Sequence, residues 1–190
     1  MQVAIPKEIT TSEQRVALVP HLTNELIQLG CTISLEKNAG LAAGYPDKTY
    51  KDVTFCNDAA SLYPTADIIF KVEPPLEKEI SLCKKNAIVI GLLSPSRNPE
   101  RIIAMRDHPI TSFAMELIPR ISRAQTMDAL SSQAAVAGYK AVLLAANLSN
   151  KLFPMLTTAA GTIRPINVLV IGAGVAGLQA IATARRLGAV

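Results

Sequence analysis

The chain has 190 residues, of which 49% are hydrophobic and 18% charged, a composition typical of one or two globular domains. Only 4% of the residues are aromatic and Trp is absent, so stacking platforms for nucleic-acid bases are not expected. The formal net charge is +4, but Lys and Arg are spread along the chain with no run longer than a pair. We therefore interpret the charge as solvated surface and predict no nucleic-acid partner.

Metal, disulfide and membrane functions are also disfavoured. Three widely spaced cysteines without a C-x-x-C motif are typical of a reducing compartment, and neither His21 nor His108 has a partner at metal-ligand spacing. We predict no metal site. Lys7 and Glu8 stand where a signal peptide would need an apolar run. Residues 165–184 lack charge over nearly the length of a membrane span, but their proline and glycines favour a buried strand followed by a packed helix.

Apolar segments alternate with helical ones over the first two thirds of the chain. Strands are predicted at residues 2–5, 31–37, 66–72, 86–93 and 110–117, and helices at residues 20–30, 76–85 and 98–107. In the first helix, Pro20 suits the first turn and Gly30 the end, with Leu22, Leu26 and Leu29 along one face. The alternation predicts an α/β fold with a Rossmann-like, doubly wound and mostly parallel sheet.

A longer helical segment follows at residues 124–148. Apolar residues recur there every three or four positions and predict one buried stripe. The stripe consists of Met127, Leu130, Ala134, Ala137, Ala141, Leu144 and Leu148. We interpret the segment as a helix linking two lobes. The predicted organisation is an amino-terminal lobe at residues 1–123, a linking helix at 124–150 and the start of a second domain at 165–190.

The chain closes on the sequence NVLVIGAGVAGLQAIATARRLGAV, in which Gly172, Gly174 and Gly177 form a complete G-x-G-x-x-G. The first glycine allows a tight turn, the second lets a pyrophosphate approach the backbone, and the third lets helix and strand pack closely. An apolar strand at residues 168–171 precedes the motif. The context favours dinucleotide binding, and the alternative is a doubly wound domain that merely needs small residues at its turn.

The helix after the glycine turn is predicted to bury Val175, Leu178, Ile181 and Leu187 and to be capped by Gly188. In a dinucleotide-binding domain, an acidic residue about 20 positions further on holds the ribose hydroxyls. The chain ends before that position. We interpret the segment as the first βα unit of a second Rossmann domain, truncated here, and expect its strand to be an unpaired apolar edge.

Two segments carry a family resemblance. The sequence IPKEITTSEQRVALVP at residues 5–20 resembles the opening of the alanine dehydrogenase and nicotinamide nucleotide transhydrogenase family. The sequence AMELIPRISRAQTMDALSSQAAVAGYKAV at residues 114–142 is more specific and resembles the NAD(H)-binding domain of the proton-translocating NAD(P) transhydrogenase α subunit. The resemblance extends over essentially the whole chain.

Three positions distinguish the two branches of that family. Arg15 matches a substrate-carboxylate ligand of alanine dehydrogenases, although a structural ion pair is an equal alternative. Their substrate-binding Lys is replaced here by Glu73, and their catalytic His by Ser94. A carboxylate substrate would be repelled by Glu73, and a carbonyl would have no evident acid–base partner. The resemblance therefore favours the transhydrogenase branch.

That branch implies direct hydride transfer between NAD(H) on this subunit and NADP(H) on a partner subunit, coupled to proton movement. It needs positioning and desolvation but no proton transfer at carbon. The resemblance implies a homodimer of the NAD(H) domain, a β subunit and membrane domain as partners, and a location on the cytoplasmic side, peripheral to the inner membrane. We expect the present chain alone to be inactive. Two alternatives are an alanine dehydrogenase-like oxidoreductase and a non-catalytic NAD-binding or assembly module.

The resemblance also implies the site. Arg120, Gln125 and Asp128 match residues that orient the nicotinamide, with Gln125 directed toward the second nucleotide. The cofactor-binding residues implied by the resemblance and the glycine motif are Arg120, Ile121, Ser122, Gln125, Thr126, Met127, Asp128, Ser131, Gly172, Ala173, Gly174, Val175 and Gly177. The pattern S-x-x-Q from Ser122 to Gln125 equally fits a capping box at the start of the long helix, and Asp128 would favour its dipole. Capping and cofactor contact are compatible.

Overall fold

The computed structural model describes residues 1–190 and divides into two compact units, residues 1–119 and 120–190. The first unit contains a six-stranded sheet. Its strands are β1 (Gln2–Ile5), β2 (Thr32–Glu36), β3 (Thr54–Cys56), β4 (Ile68–Phe70), β5 (Ile88–Gly91) and β6 (Thr111–Ala114). Every neighbouring pair is parallel and the order is β3-β2-β1-β4-β5-β6. This is the strand order of a doubly wound Rossmann sheet, so the predicted fold class is confirmed.

The sheet is covered on both faces because successive side chains of a strand point in opposite directions. In β1, Val3 and Ile5 belong to one hydrophobic core together with Leu35, whereas Ala4 belongs to the other together with Val89. The helices of the first unit are α1 (Thr23–Gln28), α2 (Ala59–Leu62), α3 (Glu77–Ile80) and α4 (Pro99–Asp107). The short elements β3 and α2 were not predicted, because neither is long enough to show a hydrophobic period.

The predicted buried face of the first helix is only partly correct. Leu26 packs into a core, but Leu22 is 37% exposed and Leu29 is 78% exposed. Pro20–Leu22 forms a 3-10 turn, whose tighter winding shifts the phase of the helix, and Leu29 lies beyond its last residue. Thr23 takes a buried position instead, with its hydroxyl donating to the Pro20 carbonyl.

The second unit contains two helices and a hairpin. These are α5 (Ala129–Leu148), the antiparallel strands β7 (Leu156–Thr158) and β8 (Gly161–Ile163), and α6 (Val175–Arg186). The hairpin was not predicted. The long helix begins at Ala129, and Ser122–Met127 is a 3-10 segment. Since Ser122 makes no side-chain capping bond there, the predicted capping box is wrong.

Helices α5 and α6 pack through small residues. The buried positions are Gly138 and Val142 on α5 and Ala180, Thr183 and Ala184 on α6. The predicted stripes are largely exposed instead; Leu144 and Leu178, for example, are 49% and 58% exposed. Small residues let the two helix backbones approach closely, which large apolar side chains at the interface would prevent. The burial predictions for Met127, Leu130, Ala137, Ala141, Leu148, Val175 and Ile181 are likewise wrong.

The segment before the glycine turn is extended but joins no β-ladder. The Val168 amide donates to the Val190 carbonyl and the Val190 amide donates to the Ile166 carbonyl. Leu169 is 86% and Ile171 is 92% exposed, as expected for an unpaired edge. By length and composition alone, α5 could cross a membrane, a test that core helices of globular proteins also pass.

Candidate functional site

The glycine turn connects the extended segment to α6. Gly172 has φ +102°, a conformation that side-chain-bearing residues rarely adopt. A Cβ at Gly177 would lie 2.0 Å from the Gly172 carbonyl oxygen, so only glycine permits this close approach. A Cβ at Gly174 would meet no atom within 4 Å, which shows that the backbone there faces open space. The three glycines therefore have the distinct properties that the motif predicts.

Gly174 is the N-cap residue of α6, and no side chain caps this end. The first N–H groups of a helix have no acceptor within the helix, and the helix dipole adds partial positive charge there. The first turn of α6 contains no acidic residue that would neutralise this charge. This end of α6 is therefore suited to an anion such as a pyrophosphate.

A depression of about 340 Å³ lies in front of the turn. Its walls come from both parts of the second unit: the glycine turn with the start of α6, and the residues near the start of α5. The lining residues are Arg120, Ser131, Ala134, Ile171, Gly172, Gly174, Val175, Ala176 and Gly177. Six candidate site residues are thus brought together here. Ala134, Ile171 and Ala176 were missed, since apolar residues carry no chemical signature.

A second depression, of about 230 Å³, follows the 3-10 segment before α5. It is lined by Arg120, Ile121, Ser122, Ala124, Gln125 and Asp128. Arg120 lines both depressions and so connects them. Thr126 and Met127 lie in the same segment but line neither depression, and Ala173 also lines neither. The structure therefore does not place those three candidates at the site walls.

Asp128 caps α5 and is held by one neighbour. Its Oδ1 accepts from the Ser131 amide at 2.9 Å and its Oδ2 accepts from the Ser131 hydroxyl at 2.6 Å. These bonds, first the hydroxyl and then the amide, lower the pKa of Asp128, and the nearby Arg120 charge lowers it further. Asp128 is therefore an anion at neutral pH with fixed orientation. Each oxygen keeps one lone pair, and the Ser131 oxygen can still accept a hydrogen bond.

Comparison with known proteins defines the family. Residues 4–137 match the model of the alanine dehydrogenase/PNT N-terminal domain, and residues 141–190 match that of the C-terminal domain. The chain belongs to the alanine dehydrogenase/PNT family. The two matched regions adjoin one another within α5, between residues 137 and 141.

Relatives from both branches of the alanine dehydrogenase/PNT family are similar to the chain. It is 45% identical over 197 residues to the first portion of NAD(P) transhydrogenase subunit alpha of Rhodospirillum rubrum, covering 100% of this chain and 51% of that protein. The crystal structure of transhydrogenase from Sinorhizobium meliloti matches with a TM-score of 0.97 and 48% identity, covering 100% of this chain and 57% of that one. An L-alanine dehydrogenase structure matches at 0.86 and 26%, with 100% and 53% covered. The chain spans about half the length of these relatives.

In this member of the alanine dehydrogenase/PNT family, Arg15 is engaged by carboxylates within the first unit. Its guanidinium donates to Glu13 at 2.8 and 2.6 Å and lies 4.0 Å from a Glu73 oxygen. The hydrogen bond from Arg15 lowers the pKa of Glu13, and the same bond raises that of Arg15. The charge of Arg15 is thus already balanced, which supports the ion-pair interpretation.

Ser94, at the position of the catalytic His, has a backbone-bound acidic neighbour. Its φ is +45°, and its amide and that of Leu93 both donate to the Glu116 carboxylate. The Ser94 carbonyl accepts from the amides of Arg97 and Asn98. These bonds fix the loop after β5, and the Ser94 side chain offers no group that titrates near neutral pH.

A buried ionic cluster lies after β1 and β4. Lys71 is 1% exposed, and its ammonium lies 2.8 Å from Glu79 and 3.4 Å from Glu8. Glu79 also accepts from the Tyr63 hydroxyl at 2.6 Å. Glu8 accepts from the Val72 amide at 2.7 Å, but its other oxygen has no hydrogen-bond donor. Burial raises the pKa of Glu8, while the attraction of Lys71 opposes that rise. Lys71 thus holds two buried carboxylates in place.

Proposed function

We propose that the chain is the NAD(H)-binding part of a proton-translocating NAD(P) transhydrogenase. Hydride passes directly between NAD(H) held here and NADP(H) held on a partner subunit. The observation that carries the proposal is the depression that joins Arg120 and Ser131 to the glycine turn. The names of the R. rubrum and S. meliloti relatives support the same assignment.

The residues present fit a dinucleotide. The open space at Gly174 and the uncapped start of α6 suit a pyrophosphate, whose negative charge matches the N–H groups there. The second depression, with Arg120, Gln125 and Asp128, suits the amide-bearing nicotinamide end. Bound NADH supplies the hydride. The cofactor-facing residues of the chain therefore have only to bind, orient and exclude water.

Each polar residue has a definite proposed function. Asp128 and Ser131 offer fixed acceptors to the carboxamide N–H groups, and Arg120 offers donors to its oxygen. Gln125, which is exposed, is placed to contact the second nucleotide. Because the chemical step moves no proton, these residues need not titrate near neutral pH. The lowered pKa of Asp128 agrees with a carboxylate that stays ionised throughout.

The alanine dehydrogenase alternative is less well supported. A carboxylate substrate would have to displace Glu13 from Arg15 and would face the negative charge of Glu73. Ser94 cannot act as an acid–base group at the carbonyl. The geometry of the first unit therefore favours a protein that has no amino-acid substrate.

The partners follow from the same proposal. The parent complex contains a second copy of this subunit, a β subunit that holds NADP(H), and a membrane domain to which this part is peripheral on the cytoplasmic side. Since the relatives are about twice as long, the complete cofactor domain includes residues beyond those described here. We propose that the present chain alone neither binds NADH tightly nor transfers hydride.

The test is reconstitution. The chain, extended through a complete second unit, is mixed with an NADP(H)-binding partner subunit, and hydride transfer from NADH to NADP⁺ is followed by absorbance of analogue cofactors. Transfer without alanine turnover supports the proposal. Oxidation of alanine with NAD⁺ would instead establish the dehydrogenase, and binding of both nucleotides without transfer would indicate a non-catalytic module.

A further inference from the structure

Gly138 lies in the middle of α5, where glycine is among the least favourable residues for a helix. Such a residue needs a packing reason. Gly138 is buried against the start of α6: a Cβ at this position would lie 2.2 Å from the carbonyl oxygen of Ala176. It would also lie 2.9 Å from the carbonyl carbon and 3.0 Å from the Cα of Ala176. The neighbour is backbone in all three cases and cannot rotate away.

The two sides of this contact are the two walls of the larger depression. Ser131 and Ala134 line it from α5 and lie seven and four positions before Gly138, so all three share one helix face. Ala176, the residue that Gly138 contacts, lines the depression from α6 together with the neighbouring Gly177. The closest approach of the helices therefore lies directly beside the site and sets the separation of its walls.

We propose, on the footing of the function proposed above, that Gly138 is a positioning residue for dinucleotide binding. It touches neither cofactor nor reacting atoms. It allows the α5 backbone to lie on the first turn of α6, and so holds Ser131 and Arg120 at the distance from the glycine turn that one dinucleotide spans. The sequence signal is a glycine inside an otherwise alanine-rich helix.

The expected displacement follows from the contact. A Cβ placed 2.2 Å from an oxygen must move beyond 3.0 Å, which shifts the start of α6 by about 0.8 Å or more. Misplacement of reacting groups by about 1 Å can lower rates roughly 100-fold. Loss of one hydrogen bond to a charged group corresponds to roughly tenfold or more in Kd. We therefore expect Gly138→Ala to raise the Kd for NADH at least tenfold.

The experiment is NADH fluorescence titration of the chain extended through a complete second unit, with thermal unfolding measured on each variant. The matched control is Val142→Ala, which removes buried volume one turn further along the same interface, in the core formed with Ala180 and Ala184. We expect both variants to melt earlier and only Gly138→Ala to lose NADH affinity. An unchanged NADH Kd in folded Gly138→Ala, or an equal loss in both variants, would overturn the proposal.

A second variant covers the case in which Gly138→Ala does not fold. Val142→Ile adds one methylene to the same interface and is expected to weaken NADH binding by a smaller factor. Unchanged affinity in Val142→Ile, when Gly138→Ala is unfolded, would contradict the proposal. If the unsubstituted extended protein binds no NADH, the proposed function itself is wrong, and this inference with it.

Discussion

Replacing Lys71 by Met tests the buried ionic cluster. The change removes the only cation near two buried carboxylates and keeps most of the side-chain length. Glu79 would retain its donors from Tyr63 and from the Leu76 amide, at 2.6 and 2.8 Å. Glu8 would retain only the Val72 amide. Because removing one partner of a buried ion pair costs about 3–5 kcal/mol, we expect a loss of that size in the free energy of unfolding.

The pH dependence identifies the cause. Loss of Lys71 removes the attraction that lowers the pKa of Glu8, so this pKa rises further above its unfolded value. A raised carboxyl pKa contributes stability that is present below the unfolded pKa and lost as the pH rises through the folded pKa. The deficit of Lys71→Met should therefore shrink on acidification, and Lys71→Met/Glu8→Gln should recover part of it at neutral pH.

The assay is urea unfolding followed by tyrosine fluorescence, since Trp is absent and three of the four tyrosines lie in the first unit. Lys84→Met is the matched control, because Lys84 pairs with Asp67 at 2.6 Å but both side chains are substantially exposed. We expect its effect to be a small fraction of that of Lys71→Met. Equal losses in the two variants, or a deficit independent of pH, would refute the reasoning.

Three further outcomes are expected. Asp128→Ala should lower the melting temperature because α5 loses its N-cap, and Asp128→Asn should not; since the pKa of Asp128 is lowered, the Ala deficit should disappear as the pH falls through that lowered value, and a constant deficit in a pH series of melting curves would count against capping by the carboxylate. Gly177→Ala should raise the NADH Kd of the extended chain more than tenfold and cost about 1–3 kcal/mol, because its Cβ would lie 2.0 Å from a carbonyl oxygen; titration and urea unfolding measure the two effects, and unaltered affinity would be inconsistent with the turn. A thiol reagent at pH 8 should label Cys31 and Cys56 quickly and Cys83 only in urea, since burial raises the pKa of Cys83 to about 12; rapid labelling of three thiols would argue against the packing of α3.

The parallel sheet was predictable because its strands are runs of Ile, Val and Phe between turns and helices, as at Ile68–Phe70. The helix faces of the second unit were not. Large apolar residues such as Leu144 suggested the buried stripe, whereas the real interface uses Gly138 and the alanines of α6. Hydrophobic periodicity cannot detect an interface made of small residues, since its stabilisation comes from close backbone approach.

The site divides in a similar way. The glycine turn could be derived from spacing alone, and the structure shows the positive φ at Gly172 and the close approach at Gly177 that the motif requires. The α5 wall came from family resemblance, because Arg120 and Ser131 have no diagnostic spacing relative to the turn. The cap at Asp128 was misassigned to Ser122 because a 3-10 segment precedes the helix, and both segments begin with residues that cap well.

The central claim is that this chain supplies both walls of an NAD(H) site that is completed by residues of a full second unit. The most direct test is NADH fluorescence titration of the 190-residue chain beside the same chain extended through that unit. The account predicts binding at about micromolar Kd, near 8 kcal/mol, for the extended chain only. Micromolar binding by the 190-residue chain would contradict the split site, and absence of binding by both would contradict the assignment of the glycine turn to a dinucleotide.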